Sequence, residues 1–93
     1  MKCHVYILFS ESFNKYYVGQ TKDINTRLES HNKGKRVTYT SKYRPWNLFW
    51  SLKVKDRSTA MKIEKYLKNK RSDFYKRLKS DSDLQDYIIE KYS

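Results

Sequence analysis

The sequence is poor in several residue types, and each scarcity excludes a class of protein. The one cysteine among 93 residues, Cys3, excludes an internal disulfide and a cysteine-rich zinc site. No run of about 18 apolar residues occurs, so no transmembrane helix is expected. The opening residues 1–4 lack the apolar segment of a signal peptide. We therefore expect one cytoplasmic domain spanning residues 1–93.

Acidic residues are also scarce. The chain has ten of them and 21 lysines and arginines, which gives a formal net charge of +11. An excess of this size favours a polyanionic partner, either nucleic acid or an anionic membrane face. Nine tyrosines, four phenylalanines and two tryptophans are more aromatic residues than a disordered basic tail would carry. The composition therefore indicates a folded, basic protein.

The first apolar segment, residues 3–9, alternates in a way that predicts a β-strand. Both of its faces are largely apolar, which is typical of a strand at the centre of a sheet. A polar turn over residues 10–14 and a second strand over 16–20 complete an antiparallel hairpin. The predicted register places Tyr6 opposite Tyr17.

The next segments predict a helix, a loop and a third strand. The helix begins after Thr21 or Asp23 and ends at Gly34. The basic, hydroxyl-rich residues 33–44 have no periodicity and predict an exposed loop. The third strand follows Pro45 and alternates, with these side chains predicted on one face: Leu48, Trp50, Leu52 and Val54. Two basic helices and a more acidic one follow, over residues 56–69, 72–79 and 81–92.

Two ionisable residues lie on the apolar stripe of the first helix. Ile24, Arg27, Leu28 and His31 have the spacing of one buried face. The ordinary interpretation is that Arg27 extends to solvent at the rim and His31 binds a backbone carbonyl. The alternative is that both residues serve a site.

A carboxylate lies on the stripe of the next helix, where Glu64 falls among Ala60, Ile63 and Leu67. A buried carboxylate costs on the order of several kcal/mol unless it is paired or bound to metal. One interpretation is a structural salt bridge, for example to Arg27. The other is a ligand for a hard divalent cation, because Mg²⁺ needs only one or two carboxylates and keeps several waters.

These residues would point to one particular reaction if they lie close to the two strand tyrosines in the fold. A strand tyrosine ordinarily just packs. Together, however, these side chains would supply what phosphodiester hydrolysis needs: a proton acceptor, a guanidinium for the phosphate, and a carboxylate for a cation. The candidate residues are Tyr6, Tyr17, Arg27, His31 and Glu64.

The same residues resemble the GIY-YIG nuclease superfamily. His4-Val5-Tyr6 and Tyr17-Val18-Gly19 resemble the paired tripeptides that define it. Residues 22–28 are similar to the nuclease domain of the bacterial excinuclease. Further similar segments are residues 31–34, 40–42 and 45–46, which look like small single-domain members and Slx-type structure-selective nucleases, and residues 60–64, which look like the helix bearing the metal-binding glutamate.

The resemblance implies an α+β fold, a three-stranded antiparallel sheet with a central first strand, flanked by helices. It implies a DNA endonuclease with one Mg²⁺ or Mn²⁺ held by Glu64. The DNA would be branched or partly single-stranded, recognised by structure rather than sequence, in DNA repair or processing. The small size leaves room for a partner protein that supplies specificity.

The resemblance also implies roles for the other candidates. Tyr6 or Tyr17 would act as, or assist, the general base. Arg27 would contact the scissile phosphate, and His31 would handle a proton or contact the phosphate. Gly19 would let the backbone come close beside the tyrosines.

The basic residues expected to follow a DNA backbone are Lys33, Lys35, Arg36, Lys42, Arg44, Lys65 and Lys68. Tyr39, Tyr43 or Trp46 would stack on unpaired bases. One departure from the family pattern, His4 in place of a leading glycine, motivates a second hypothesis, a nucleic-acid-binding module that no longer cleaves. A third hypothesis is membrane-surface association through the basic C-terminal half, which the acidic last helix opposes.

Overall fold

The computed structural model describes residues 2–34 and 39–92. Within these residues the chain forms three strands, four α-helices and a 3₁₀-helix. In chain order they are β1 (Cys3–Ser10), β2 (Lys15–Thr21), α1 (Ile24–Lys33), the 3₁₀-helix (Thr40–Tyr43), β3 (Asn47–Val54), α2 (Arg57–Lys68), α3 (Ser72–Ser80) and α4 (Ser82–Tyr92). The predicted α+β class is confirmed.

The sheet is antiparallel with strand order β2-β1-β3, so the predicted central position of the first strand is confirmed. Side chains of β1 enter two separate apolar clusters. On one face Val5 and Ile7 pack with residues of α2, α3 and α4. On the other, Tyr6 and Leu8 pack with Trp46, which is itself buried.

The predicted hairpin register is wrong by two residues, which is one pair on the same face of the sheet. Tyr6 lies opposite Gly19, and Tyr17 lies opposite Leu8. The turn occupies residues 11–14, and Asn14 adopts a left-handed φ of 51°, which asparagine tolerates better than most residues. The turn is therefore centred one residue later than predicted, which moves every partner by two positions and keeps both tyrosines on one face.

The predicted alternation of β3 also fails at one end. Ile7 pairs with Trp50 while Leu8 pairs with Leu48, so the register shifts at Phe49. Leu48 is consequently exposed, and Phe49 packs against the larger apolar cluster. An extra residue in one strand of a pair has this effect, because side chains beyond it change faces.

Two aspartates cap the helices that carry the candidate residues. The Asp23 side chain accepts a hydrogen bond from the Thr26 backbone N–H at 3.1 Å, and Asp56 accepts one from Thr59 at 2.8 Å. Such caps satisfy backbone donors that a helix start leaves unpaired. The Gly34 N–H closes α1 on the Ser30 carbonyl.

The predicted buried stripe of α1 is wrong. None of its residues, 24–33, is fully buried, and Arg27 is exposed. Leu28 and His31 are half-buried, because α1 covers the β1 face only at its edge, beside Trp46. The corresponding buried stripe predicted for α2 is confirmed, because Ala60, Ile63 and Leu67 are buried.

The segment predicted as an exposed loop over residues 33–44 is partly structured where the structure describes it. Thr40 is buried in the 3₁₀-helix, and the chain after it is tied to α1. The Asn32 side-chain amide donates to the Trp46 carbonyl at 2.8 Å, and its oxygen accepts from the Trp46 backbone N–H at 2.5 Å. One side chain thus satisfies both backbone groups of a buried tryptophan.

The longest helix in the described part of the chain has 12 residues. Within residues 2–34 and 39–92, no helix has the length and apolar character needed to cross a membrane.

We predict that Asn32→Ala lowers the free energy of unfolding by about 1–3 kcal/mol, because it leaves two backbone groups of Trp46 without these partners. Urea titration followed by tryptophan fluorescence measures the effect. Asn25→Ala, at an exposed position of the same helix, is the matched control. Equal stability of the two variants would contradict the prediction.

Candidate active site

The candidate site is built on a contact between the centre of the sheet and the end of α1. Tyr6 projects from β1 and is only 3% exposed. His31 lies in the last turn of α1. The Tyr6 hydroxyl and the His31 Nε2 are 2.9 Å apart, which is a hydrogen bond between side chains 25 residues apart in sequence.

Contacts to both nitrogens and to the ring hold the imidazole of His31 in place. Its Nδ1 lies 3.0 Å from the Thr40 hydroxyl oxygen, and the Thr40 carbonyl accepts a hydrogen bond from Trp46 Nε1 at 2.8 Å. The His31 ring makes edge-on contacts with the rings of Tyr6 and Tyr17, with centroid distances of 6.0 and 5.0 Å. The two tyrosines therefore meet at one histidine.

Burial keeps both members of the Tyr6–His31 pair uncharged. Burial raises the pKa of the Tyr6 phenol well above its usual range; negative charge on Tyr17 or Glu64 adds to this and the Arg27 charge opposes it. Burial lowers the pKa of His31, and the positive charges of Arg27 and Arg44 lower it further. A neutral phenol facing a neutral imidazole satisfies both ring nitrogens if Tyr6 donates to Nε2 and Nδ1–H donates to Thr40.

A cleft of about 280 Å³ opens beside this pair, and Tyr17, Arg27 and His31 all line it. Arg27 is exposed, so its guanidinium is available to a ligand, yet its charge reaches both Tyr6 and His31. The structure therefore brings Tyr17, Arg27 and His31 to one cleft, with Tyr6 hydrogen-bonded to His31, and the charged side chains of Arg27 and Arg44 that line the cleft are positive.

Gly19 lies directly against the Tyr6 phenol. A Cβ atom at this position would overlap the hydroxyl and come within 2.6 Å of Cζ. Any other residue would therefore displace the Tyr6 ring from the position in which it contacts His31.

The fifth candidate, Glu64, lies in a different cleft of about 490 Å³ with Gln20, Lys65 and Lys68. Its side chain is 20% exposed and forms an ion pair with Lys68 Nζ at 2.9 Å. The suggested partner Arg27 is therefore wrong, and the i,i+4 spacing of glutamate and lysine was the signal for the true one. The negative charge of Glu64 also helps to raise the pKa of Tyr6, although less than burial does.

A resident cation would meet few protein ligands here. Among residues 2–34 and 39–92, no cluster of three or more histidine, cysteine, aspartate or glutamate side chains occurs. A single, solvent-accessible carboxylate fits Mg²⁺ or Mn²⁺ that keeps most of its waters. Glu64 can hold such an ion only if its carboxylate is shared with, or released by, Lys68.

The basic residues predicted to bind DNA fall into three groups. Lys33, Lys42 and Lys65 are exposed. Lys68 pairs with Glu64, and Arg44 donates through Nε to the His31 carbonyl at 2.5 Å and through Nη2 to the Gly34 carbonyl at 2.6 Å. The remaining two, Lys35 and Arg36, lie outside the described residues.

Two other side chains bear on the predictions. Trp46 is buried, so its predicted availability for stacking is wrong. His4 is half-buried on the Tyr6 face and lies opposite Thr21. The pKa of Asp23, lowered mainly by hydrogen bonds from Thr26, is also lowered by the charge of His4, so this histidine lies near the start of α1.

The sequence assigns no role to Thr40 or Asn32, although both lie in segments that carry the family resemblance. Thr40 orients His31, and Asn32 fixes Trp46. Thr40 is one of several consecutive hydroxyl-bearing residues in a segment without periodicity. Nothing in the sequence distinguishes it from its neighbours, and only the fold does.

Comparison with known proteins shows which family this chain resembles. UPF0213 proteins of Staphylococcus aureus strains N315 and MW2 are 34% identical over 68 residues, covering 73% of this chain and 83% of theirs. The solution NMR structure of a UPF0213 protein from Bacillus halodurans has a TM-score of 0.52 and 29% identity, covering 86% of this chain and 84% of that one. The family model of the GIY-YIG catalytic domain matches residues 2–79. This chain therefore belongs to the GIY-YIG catalytic domain family, which supports a nuclease-type function.

Proposed function

We propose that this protein is a divalent-metal-dependent endonuclease that hydrolyses phosphodiester bonds in DNA. We further propose that it selects branched or partly single-stranded DNA by structure, in cytoplasmic DNA repair or processing. The observation that carries the proposal is the 2.9 Å hydrogen bond between Tyr6 and His31 beside a cleft that Arg27 also lines. Family membership supports the same class of reaction.

His31 is the group best suited to accept a proton. It is uncharged at neutral pH because burial and two arginines lower its pKa. Tyr6 alone is a poor base, because burial disfavours its phenolate. A hydroxyl hydrogen-bonded to a neutral imidazole can instead pass its proton to Nε2 while it takes one from water, so the pair acts as the base.

Arg27 would bind the phosphate that is attacked. Its guanidinium is exposed at the cleft, and a guanidinium binds a phosphate through two parallel hydrogen bonds. Tyr17 lines the same cleft and packs its ring edge-on to His31, so it would limit the positions that a bound phosphate can take.

Glu64 would hold the cation, with water completing the coordination shell. When bound, the ion supplies positive charge that stabilises the developing negative charge of the leaving oxygen. Lys33, Lys42 and Lys65 are exposed and would follow the phosphate backbone, and a partner protein would add specificity.

A second candidate function is a DNA-binding module without cleavage. It is favoured by the ion pair between Glu64 and Lys68 and by His4 at the position of the family glycine. The two functions differ in what metal does: the first needs it for cleavage, and the second binds DNA without using it.

We predict that Glu64→Gln reduces cleavage of flapped or branched DNA by about 100-fold or more, equivalent to about 3 kcal/mol of lost transition-state stabilisation. Cleavage of labelled DNA in Mg²⁺ or Mn²⁺ measures the rate. Glu29→Gln, an exposed carboxylate on α1, is the matched control. Metal-dependent cleavage by Glu64→Gln at the parent rate would refute the assignment, and no cleavage by the parent protein would favour the binding module.

We predict that Arg27→Gln raises the pKa of His31 towards its ordinary value, because a positive charge that disfavours imidazolium is removed. Titration of the His31 ring signals by NMR measures this directly, with Arg71→Gln as an exposed control. Because the base is the neutral imidazole, cleavage by the parent protein should also fall as the pH drops through the His31 pKa. A His31 pKa that is unchanged, or lower, in Arg27→Gln would contradict the proposed electrostatics.

We predict that Lys68→Gln binds Mn²⁺ about 3- to 10-fold more tightly than the parent, because the ammonium competes for the carboxylate and repels the cation. Electron paramagnetic resonance of free Mn²⁺ measures the affinity without DNA. Lys65→Gln removes an exposed charge from the same cleft and is the control. Equal affinities of the parent and Lys68→Gln would show that the ion pair does not oppose metal binding.

A further inference from the structure

Three aromatic side chains form a continuous surface beside the active-site cleft. We define the aromatic surface as Phe13, Tyr39 and Tyr43. Tyr43 lies at its centre, with ring centroids 5.4 Å from Phe13 and 5.1 Å from Tyr39. Phe13 is 48% exposed and Tyr39 is 53% exposed. Large apolar side chains that are clustered and exposed indicate a binding surface more often than scattered ones do.

The aromatic surface is anchored rather than loosely placed. Tyr43 packs edge-on to the buried Trp46, with a centroid distance of 6.5 Å. Trp46 is in turn fixed to α1 through Asn32. The central ring is therefore pre-positioned, which reduces the conformational entropy that binding must overcome.

The aromatic surface is continuous with the proposed active site. Tyr39 lines the same 280 Å³ cleft as Arg27 and His31. From that cleft the rings lead to Phe13 in the β1–β2 turn. A ligand whose phosphate lies at Arg27 would thus have its next groups beside Tyr39.

The charge around the rings matches a polyanion. The Lys15 ammonium lies 5.8 Å from the centre of the Tyr43 ring, and Lys42 is exposed within the same segment. Residues 39–46 contain two basic residues and no acidic one. A partner with aromatic faces and regularly spaced negative charge fits this combination better than an apolar protein surface, which would leave the lysines unpaired.

We propose that the aromatic surface stacks on unpaired bases of a single-stranded DNA segment that continues from the active-site cleft. Bases inside a duplex already stack on their neighbours, whereas unpaired bases expose their faces to aromatic side chains. The inference rests on the proposed function, since it assigns the substrate of that site as DNA with a single-stranded arm. Base stacking and phosphate contacts by Lys15 and Lys42 would act together.

The test measures binding of the intact 93-residue chain in EDTA, so that no cleavage takes place. Fluorescence anisotropy compares a labelled thymidine strand of about 15 nucleotides, an abasic strand with the same phosphates, and a duplex of equal length. We expect Tyr39→Ser and Phe13→Ser to bind the thymidine strand about 5- to 100-fold more weakly than the parent. Binding to the abasic strand and the duplex should change by less than about 2-fold.

The control variant is Tyr87→Ser, which removes a tyrosine that is equally exposed, 53%, but lies on α4. Its affinity for all three ligands should match that of the parent. Tyr39→Trp keeps a large ring and should retain binding to the thymidine strand. Circular dichroism before titration identifies any variant that has lost its fold. If Tyr39→Ser has lost it, the affinity of Tyr39→Trp for the thymidine strand decides whether binding needs a large ring at position 39.

Two outcomes would overturn the proposal. One is equal binding of the thymidine and abasic strands by the parent, including no binding of either. The other is a loss in Tyr39→Ser and Phe13→Ser that is the same for thymidine, abasic and duplex ligands. The nuclease proposal fails separately, through absent cleavage in Mg²⁺ and Mn²⁺, so base-dependent binding without cleavage would support the aromatic surface and reject the nuclease.

Discussion

The need to cover both apolar faces of β1 determines the architecture of this protein. The central strand carries Val5 and Ile7 on one face and Tyr6 and Leu8 on the other. Helix α2 lies against the first face, and α3 and α4 add buried side chains to the same apolar cluster. The second is covered by the edge of α1 and by Trp46, and this thinner cover leaves a cleft through which solvent reaches the site. The candidate active site therefore lies at the less completely covered face of the sheet.

Burial at this face also determines the protonation of the site. The same loss of hydration raises the pKa of the Tyr6 phenol and lowers that of the His31 imidazole. Both groups are consequently neutral at neutral pH. In the proposed reaction, a proton passed from water through the Tyr6 hydroxyl to Nε2 would leave an imidazolium at His31 and a hydroxide that attacks the phosphate. Thr40 completes the arrangement, because its contact with Nδ1 orients the ring and leaves Nε2 facing the tyrosine.

The net charge of +11 divides into parts with different uses. Arg44 is committed to two backbone carbonyls at the end of α1, and Lys68 to the Glu64 carboxylate. Arg27 is exposed at the active-site cleft. The remaining described lysines are mostly exposed, and several of them lie over aromatic rings, among them Lys15 over Tyr43, Lys79 over Phe49 and Lys91 over Tyr66. A polyanion would therefore meet both general attraction and a localised set of contacts.

The family, the α+β class and the central position of β1 can be predicted from the sequence, because they follow from short motifs and from apolar residues on both faces of one strand. The hairpin register cannot, since the left-handed Asn14 moves the turn by one residue, and neither can the face of Leu48, since a shift at Phe49 reverses the alternation. The contacts between Tyr6 and His31, between Thr40 and that histidine, and among the rings of the aromatic surface emerge only from the folded chain. The Tyr6–His31 contact links residues 25 positions apart, and Phe13 meets Tyr43 from a different part of the chain. No local propensity encodes a distance between two side chains on different elements.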